Sequence, residues 1–212
     1  MILFPMVVRL EGRKCIVVGG GQVAAAKAAN LLSHGAKVVI VAPRAVNWIR
    51  TRARANKLKW RARRFSSGDL RSAFLAVAAT NSPATNKAVF LACKARGVLC
   101  NVVDDPEHCD FFYPAVLQRG PLQIAISTSG RSPALAARIR ADFEKQFGQE
   151  WGPFVESVGR QRKNILNSSI SSAQKRKRLL EIAVPEFLQD FLPRGASRKS
   201  GSRGAQPKTS KP

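Results

Sequence analysis

The fold is decided by residues 15–27, which read CIVVGGGQVAAAK. A short run of apolar, mostly β-branched residues meets three glycines, and an alanine-rich helical pattern follows at once. This order predicts a strand, a tight turn and a helix N-terminus within one short segment. The unpaired N–H groups and the positive dipole end of such a helix attract an anion, and a nucleotide pyrophosphate is held in this way.

The small residues of this segment have separate uses. Gly19 can adopt the backbone angles of the turn, Gly21 has no Cβ and lets a phosphate approach the main chain, and Ala24 lets the helix pack on the strand. The spacing Gly-x-Gly-x-x-Ala follows a strand and opens a helix here, which is the context that the motif requires. A glycine turn without a ligand is the alternative. The residues that we expect to contact a dinucleotide are Gly19, Gly20, Gly21, Gln22 and Val23.

The composition is that of a globular protein with a strong positive charge. Its 212 residues are 45% hydrophobic, and 36 Lys and Arg against 13 Asp and Glu give a formal net charge of +23. No acidic residue lies between Glu11 and Asp69. Such a field attracts polyanions, namely nucleic acid, anionic lipid or a small substrate with many carboxylates, and the sign alone does not choose among them.

Several features favour a cytoplasmic protein. No apolar run approaches the length of a membrane span, and the apolar N-terminus lacks the basic region and cleavage site of a signal peptide. The four cysteines form no C-x-x-C pair, so we expect free thiols in a reducing compartment. No His, Cys and carboxylate cluster has the spacing of a structural zinc site, and we expect no bound metal.

The hydrophobic pattern up to residue 113 alternates strands with helices. The order is β-α-β-α-β-β-α-β, which implies parallel pairing and a doubly wound, Rossmann-like sheet. We therefore predict that residues 1–113 form a dinucleotide-binding domain of the α/β class. The predicted strands lie near 14–18, 37–41, 58–62, 74–79 and 98–103, and the predicted helices near 23–33, 44–56 and 80–96.

The pattern changes after residue 110. Residues 111–117 and 122–127 flank a turn and predict an antiparallel hairpin, and Ser132 with Pro133 predicts the start of a helix. Leu135, Ile139 and Phe143 give this helix an apolar stripe. A hairpin with one helix is a poor fold alone, so we expect 114–150 to pair with a second copy as a dimerisation region. Packing on its own domain is the alternative.

The remainder of the chain divides by composition. Residues 151–190 have a helical pattern with apolar positions among basic ones. Residues 191–212 are rich in Ser, Gly, Pro, Lys and Arg, and we expect a disordered basic tail there.

The chain resembles a known family in several motifs taken together. The glycine turn, the Ala-Ala-Thr that ends at Thr80, Asn101-Val102-Val103-Asp104, the Phe-x-x-Pro at 111–114 and residues 127–133 together resemble the precorrin-2 dehydrogenase module of sirohaem synthases. The match covers about residues 1–150, with a looser helical match to about residue 190. It implies an enzyme that oxidises precorrin-2 to sirohydrochlorin with NAD. Some members of the family also act as ferrochelatases and insert ferrous iron to give sirohaem, and the sequence leaves this second activity open.

Asp104 is the predicted catalytic residue. It follows a buried parallel strand, where open α/β sheets bind their ligands, and the matching position of the family carries the catalytic aspartate. A carboxylate there would accept the proton that leaves with the hydride. The alternatives are that Asp104 caps the turn before Pro106 or pairs with an arginine, that Asp105 is the working group, and that His108 assists.

Two further segments are predicted to line the cofactor groove. After the second strand, Pro43 and Arg44 stand where a ribose-binding acid is usual. Arg44 suits a 2′-phosphate and hence NADP, whereas the resemblance favours NAD with main-chain contacts, and we follow the resemblance. Thr80 and Asn81 end another strand and either line the groove or cap the next helix.

The tetrapyrrole is expected at the loop before the Pro133 helix. In the family this loop borders the substrate, so the predicted substrate-binding residues are Thr128, Ser129, Gly130 and Arg131. The charge also permits a different reading, in which the same domain serves an NAD-sensing regulatory or nucleic-acid-binding protein. A purely structural dimer module would leave the glycine turn and Asp104 without a use.

Overall fold

The computed structural model describes residues 3–184 together with Leu188 and Phe191. These residues form two units. The first contains the described residues up to Tyr113 together with Ser129–Arg131, and the second contains Pro114–Thr128 and the described residues from Ser132 onward.

The first unit is built on a five-stranded parallel sheet. The order β3-β2-β1-β4-β5 changes direction at β1, whose neighbours are β2 on one side and β4 on the other. The carboxyl ends of β1 and β4 therefore form the switch point at which such sheets bind ligands. This confirms the predicted doubly wound α/β fold. The strands are β1 (Lys14–Val18), β2 (Lys37–Val41), β3 (Lys59–Arg61), β4 (Leu75–Ala78) and β5 (Leu99–Val102).

Helices cover both faces of this sheet and bury two apolar clusters. Ala24, Ala28 and Leu31 of the first helix pack with one face, and Val89 and Cys93 of the third pack with the other. Both clusters have members that are fully inaccessible to solvent, so this sheet is the core of the unit. The helices are α1 (Gln22–Ser33), α2 (Asn47–Arg54) and α3 (Pro83–Lys94), with short 3-10 turns at Ser67–Leu70 and Pro106–His108.

Two elements begin later than the sequence predicts, namely the second helix and the first strand of the hairpin. The second helix begins at Asn47 rather than near residue 44, because the N–H of Val46 donates to the carbonyl of Gly20 (2.8 Å) and holds the preceding loop extended. Residues 111–114 were expected in the hairpin, but the strand begins only at Ala115. Pro114 has no N–H for a strand ladder, which accounts for this limit.

The loop between β3 and β4 contains a buried carboxylate whose two oxygens both accept hydrogen bonds. Asp69 is the first acid after Glu11 and is 1% exposed. Arg63 binds it through both guanidinium ends (2.6 and 2.9 Å), Arg61 also pairs with it, and the N–H of Ser66 donates at 2.9 Å. Burial raises the pKa of Asp69, but these hydrogen bonds outweigh burial and lower it to about 2.

The second unit contains an antiparallel hairpin and three helices. Ser132 caps α4 by accepting from the N–H of Leu135 at 3.2 Å, as predicted. Leu135 is 52% exposed in the single chain, and the buried residue of this turn is Ala136. The elements are β6 (Ala115–Arg119), β7 (Leu122–Ile126), α4 (Pro133–Gln146), α5 (Trp151–Asn167) and α6 (Ser172–Glu181).

The predicted helical character after residue 150 agrees with α5 and α6. The expected basic tail lies outside the described residues beyond Phe191. None of the helices in the described part of the chain is long and apolar enough to cross a membrane.

Candidate functional site

Two glycines of the β1–α1 turn are required by close approach of the backbone. Gly19 has φ +131°, and a Cβ there would lie 2.2 Å from the carbonyl oxygen of Ala79 at the end of β4. A Cβ on Gly20 would lie 1.9 Å from the carbonyl oxygen of Arg44, beyond β2. Neither position admits a side chain, so the turn is fixed against the ends of both neighbouring strands.

Gly21 differs from Gly19 and Gly20, because the fold itself does not require a glycine at this position. Its backbone angles (φ −84°, ψ −173°) suit any residue, and a Cβ there would meet nothing within 4 Å. It is the N-cap of α1 and supplies no side-chain acceptor, so the first N–H groups of the helix face open space beside exposed Gln22 and Val23. This open space at a helix N-terminus fits the pyrophosphate of a dinucleotide.

The loop after β2 reaches the turn through its main chain. Pro43 and Arg44 are both exposed, and the carbonyl of Arg44 is the group that excludes a side chain at Gly20. A carboxylate for the ribose hydroxyls is absent from residues 12–68, as the sequence already showed. The geometry therefore leaves main-chain groups and the Arg44 side chain at this edge of the site.

Thr80 has a structural partner that the sequence did not suggest. Its hydroxyl donates to the side-chain oxygen of Asn86 (2.7 Å), and the amide of Asn86 donates back to the carbonyl of Thr80 (3.0 Å). The N-cap of α3 is Ser82, which accepts from the N–H of Thr85 at 3.2 Å. Thr80 therefore binds the first turns of α3 without capping the helix, while Asn81 is exposed beside it. A cofactor role for both remains a prediction.

Asp104 and Asp105 differ in conformation and in partner. Asp104 is exposed and has φ +60°, a left-handed conformation that is uncommon outside glycine, Asn and Asp. Asp105 contacts His108, with its Oδ2 2.7 Å from the Nδ1 of the imidazole, and that ring packs edge-on against Phe90. The Asp105 carboxylate is thus engaged by His108, whereas the carboxylate of Asp104 acts electrostatically on Lys27 of α1.

Lys27 lies near Asp104 and packs on the ring of Tyr113, and sequence reasoning assigned no site role to Lys27 or to Tyr113. The Nζ of Lys27 lies 3.9 Å from the centroid of the Tyr113 ring. Burial lowers the pKa of Lys27, and the nearby side chains of Asp104 and Cys109 raise it in part. The hydroxyl of Tyr113 is buried and has no hydrogen-bond partner among the described residues, and burial raises its pKa. The signal for Lys27 was its position on α1, four residues after Val23.

The predicted substrate loop has an irregular backbone. Ser129 and Gly130 have consecutive positive φ angles of +53° and +78°. The hydroxyl of Thr128 accepts a hydrogen bond from the N–H of Ser132 (3.0 Å) at the start of α4, and Arg131 is exposed. The substrate-binding role of these four residues stays a prediction.

All four cysteines are free thiols, as predicted. Cys109 accepts hydrogen bonds from the N–H of Val102 (3.2 Å) and the amide of Asn101 (3.3 Å), so it holds the loop after β5 against the strand. Burial raises the pKa of Cys109 and brings that of Cys15 to about 11, and both are inert at neutral pH. Within the part of the chain that is described, no three His, Cys, Asp or Glu side chains are grouped as metal ligands would be.

The switch-point turn and the open N-terminus of α1 define a dinucleotide-binding α/β protein. The family described as "Putative NAD(P)-binding" matches residues 6–115, and the "Sirohaem biosynthesis protein central" family matches residues 119–146. The chain therefore belongs to this NAD(P)-binding family. The predicted resemblance and the predicted nicotinamide dinucleotide cofactor class are both confirmed.

Named relatives agree with this assignment. The chain is 37% identical over 176 residues to a siroheme synthase of Photorhabdus laumondii. The matched region covers 83% of this chain and 37% of the relative. It is 36% identical over 193 residues to a siroheme synthase of Hydrogenovibrio crunogenus, covering 90% of this chain and 41% of the relative. The chain spans about two fifths of the length of these curated relatives.

A solved structure is similar over nearly the whole chain. The structure of SirC, precorrin-2 dehydrogenase, matches with a TM-score of 0.76 and 27% sequence identity. The match covers 89% of this chain and 96% of SirC. The similarity therefore extends beyond the dinucleotide-binding sheet to most of the described chain.

Proposed function

We propose that this protein oxidises precorrin-2 to sirohydrochlorin with NAD as hydride acceptor. The observation that carries the proposal is Asp104, a carboxylate that follows β5 at the same sheet edge as the glycine turn. The similarity to siroheme synthases and to SirC, precorrin-2 dehydrogenase, supports the choice of substrate. These relatives favour an oxidoreductase over an NAD-sensing or nucleic-acid-binding protein.

The reaction assigns different steps to the cofactor and to the residues of the protein. When bound, the nicotinamide supplies the hydride acceptor. Removal of one hydride from precorrin-2 leaves one proton to be taken up, and the carboxylate of Asp104 accepts it. The N–H groups at the start of α1 hold the pyrophosphate, and the positive field of the chain, +23 overall, raises the local concentration of a polycarboxylate substrate.

The finer assignments belong to the same proposal. We place NAD rather than NADP in the site, with contacts from the main chain of Pro43 and Arg44. The protein acts in the cytoplasm as a homodimer, with residues 114–150 as the pairing region. Ferrous iron is a second substrate if chelation takes place, because insertion displaces two pyrrole protons, which Asp104 would accept one at a time and release to solvent. The proposed substrate contacts are Thr128, Ser129, Gly130 and Arg131.

The test is the pair Asp104→Asn and Asp105→Asn. Asn tolerates the left-handed backbone of position 104, so the first variant removes the proton acceptor with little strain. We expect NAD affinity to stay normal and turnover to fall about 10²- to 10⁴-fold, as for a lost general base. Asp105→Asn is the matched control and should lose much less, since that carboxylate already contacts His108.

Turnover is measured as NADH formation from precorrin-2 under anaerobic conditions, followed by sirohaem absorbance after ferrous iron is added. Full activity in Asp104→Asn, or a larger loss in Asp105→Asn, contradicts the assignment of the base. Absence of NADH formation in the wild-type protein contradicts the reaction itself. Retained oxidation with lost iron insertion would restrict Asp104 to chelation.

A further inference from the structure

We infer that Lys27 is a substrate-binding residue whose ammonium group binds a carboxylate of the tetrapyrrole beside Asp104. The inference rests on the proposed function for the identity of the substrate. The three residues on which it depends, Lys27, Asp104 and Tyr113, all belong to the first unit.

Lys27 lies in the second turn of α1, whose N-terminus follows the carboxyl end of β1. It follows Val23 by four residues, so the two share a face of α1, and Val23 is 50% exposed in the first turn of this helix. The Nζ of Lys27 stands 3.9 Å from the centroid of the Tyr113 ring, in the segment that follows β5. Helix α1 and the segment that carries Asp104 therefore meet at this ammonium group.

The ammonium group is held without an acceptor. Among the described residues, Lys27 makes neither an ion pair nor a hydrogen bond through Nζ, and its polar contact is the face of Tyr113. A partly buried cation has lost some of its hydration, and the aromatic face returns only part of it. An anion that binds the ammonium group compensates for the rest of this loss.

The side chains that face Lys27 do not pair with its ammonium group, so the anion has to come from a bound ligand. They are Asp104, Cys109 and Tyr113. Burial raises the pKa of both Cys109 and Tyr113, so these two are neutral at physiological pH. Asp104 is the charged member, and it affects Lys27 without pairing with it. A ligand between them would meet a hydrogen-bond donor on one side and a proton acceptor on the other.

A tetrapyrrole has the complementary chemistry. Its rim carries carboxylates and its ring carries the hydrogens that the reaction removes. A rim carboxylate on Lys27 therefore orients the ring toward Asp104. A charge-assisted hydrogen bond of this kind changes affinity by about 10- to 100-fold.

The experiment compares Lys27→Met, Lys27→Arg and Lys87→Met. Lys27→Met keeps an apolar side chain over Tyr113 and removes the charge, and Lys27→Arg restores a cation. Lys87→Met removes the same charge from an exposed position on α3 and controls for the general field. The readouts are KM and kcat for precorrin-2, the Kd for NAD, and the Kd for uroporphyrin, an octacarboxylate porphyrin, from fluorescence.

We expect Lys27→Met to raise the KM for precorrin-2 and the Kd for uroporphyrin about 10- to 100-fold, with kcat and the Kd for NAD changed less than about threefold. Lys27→Arg should recover most of the loss, and Lys87→Met should resemble the wild type. Porphyrin affinity of the wild type should fall at a lower alkaline pH than an ordinary lysine would give, because burial lowers the pKa of Lys27. In Lys27→Arg this alkaline loss should disappear.

The outcomes separate this inference from the proposed reaction. Equal porphyrin affinity in wild type and Lys27→Met overturns the inference, and so does a loss confined to NAD. A wild type that binds uroporphyrin through Lys27 but forms no NADH from precorrin-2 overturns the reaction and supports the carboxylate site.

Discussion

Replacement of Gly21 by Asp should separate ligand binding from folding at the β1–α1 turn. A Cβ at this position meets nothing within 4 Å, and the backbone angles suit an ordinary residue. Asp is also a better N-cap than Gly, because its carboxylate accepts from the N–H groups of Val23 or Ala24. We therefore expect the free energy of unfolding to stay equal or to rise by about 0.5–1 kcal/mol.

The same carboxylate occupies the donors that the pyrophosphate needs. Two unit charges about 4 Å apart repel by about 1 kcal/mol in water and by about 4 kcal/mol at an effective dielectric constant near 20. NAD affinity should therefore fall by about 5- to 1,000-fold from charge alone. Gly21→Asn makes the same capping bonds without the charge, so the ratio between the two variants measures the repulsion.

The assay is calorimetric titration of the folded variants with NAD, beside thermal unfolding of each. Gly20→Ala is the opposite control, since its Cβ would lie 1.9 Å from the Arg44 carbonyl oxygen. That variant should lose about 1–3 kcal/mol or more of stability. Wild-type NAD affinity in Gly21→Asp would refute the pyrophosphate assignment, and equal losses in the Asn and Asp variants would show that bulk rather than charge is responsible.

Two further predictions concern buried polar groups. Tyr113→Phe removes a buried hydroxyl that has no partner among the described residues and keeps the ring below Lys27, so we expect about 1 kcal/mol of added stability, or a Tm higher by about 2–4 °C; a lower Tm would show that the hydroxyl is hydrogen-bonded. Asp69 has a pKa near 2 in the folded state, below the ordinary value of 3.8, so its ion pairs stabilise the protein above about pH 4 and this contribution is lost as the pH falls toward 2. Asp69→Asn should cost about 2 kcal/mol in urea unfolding at pH 7, with the difference from wild type shrinking in acid, and a pH-independent difference would contradict this account.

The sequence by itself determined the elements that depend on neighbouring residues. The β-branched run, the glycines and the alanine-rich helix placed β1, the turn and α1 within one residue of their observed bounds. Ser132 before Pro133 identified the cap of α4, because capping is a contact between residues a few positions apart. The alternation of strands and helices gave the parallel sheet, since such connections permit few topologies.

Only the tertiary structure decided how distant segments share the site. Sequence spacing did not show that the carbonyl of Arg44 excludes a side chain at Gly20, or that Asn86 binds Thr80. It also gave no reason to place Lys27 over Tyr113 beside Asp104. Each of these contacts depends on where the ends of separate strands bring the chain, and hydrophobic periodicity reports only which face of an element is buried. The local pattern therefore determined the fold, and the packing of the loops at the carboxyl edge of the sheet determined which side chains meet there.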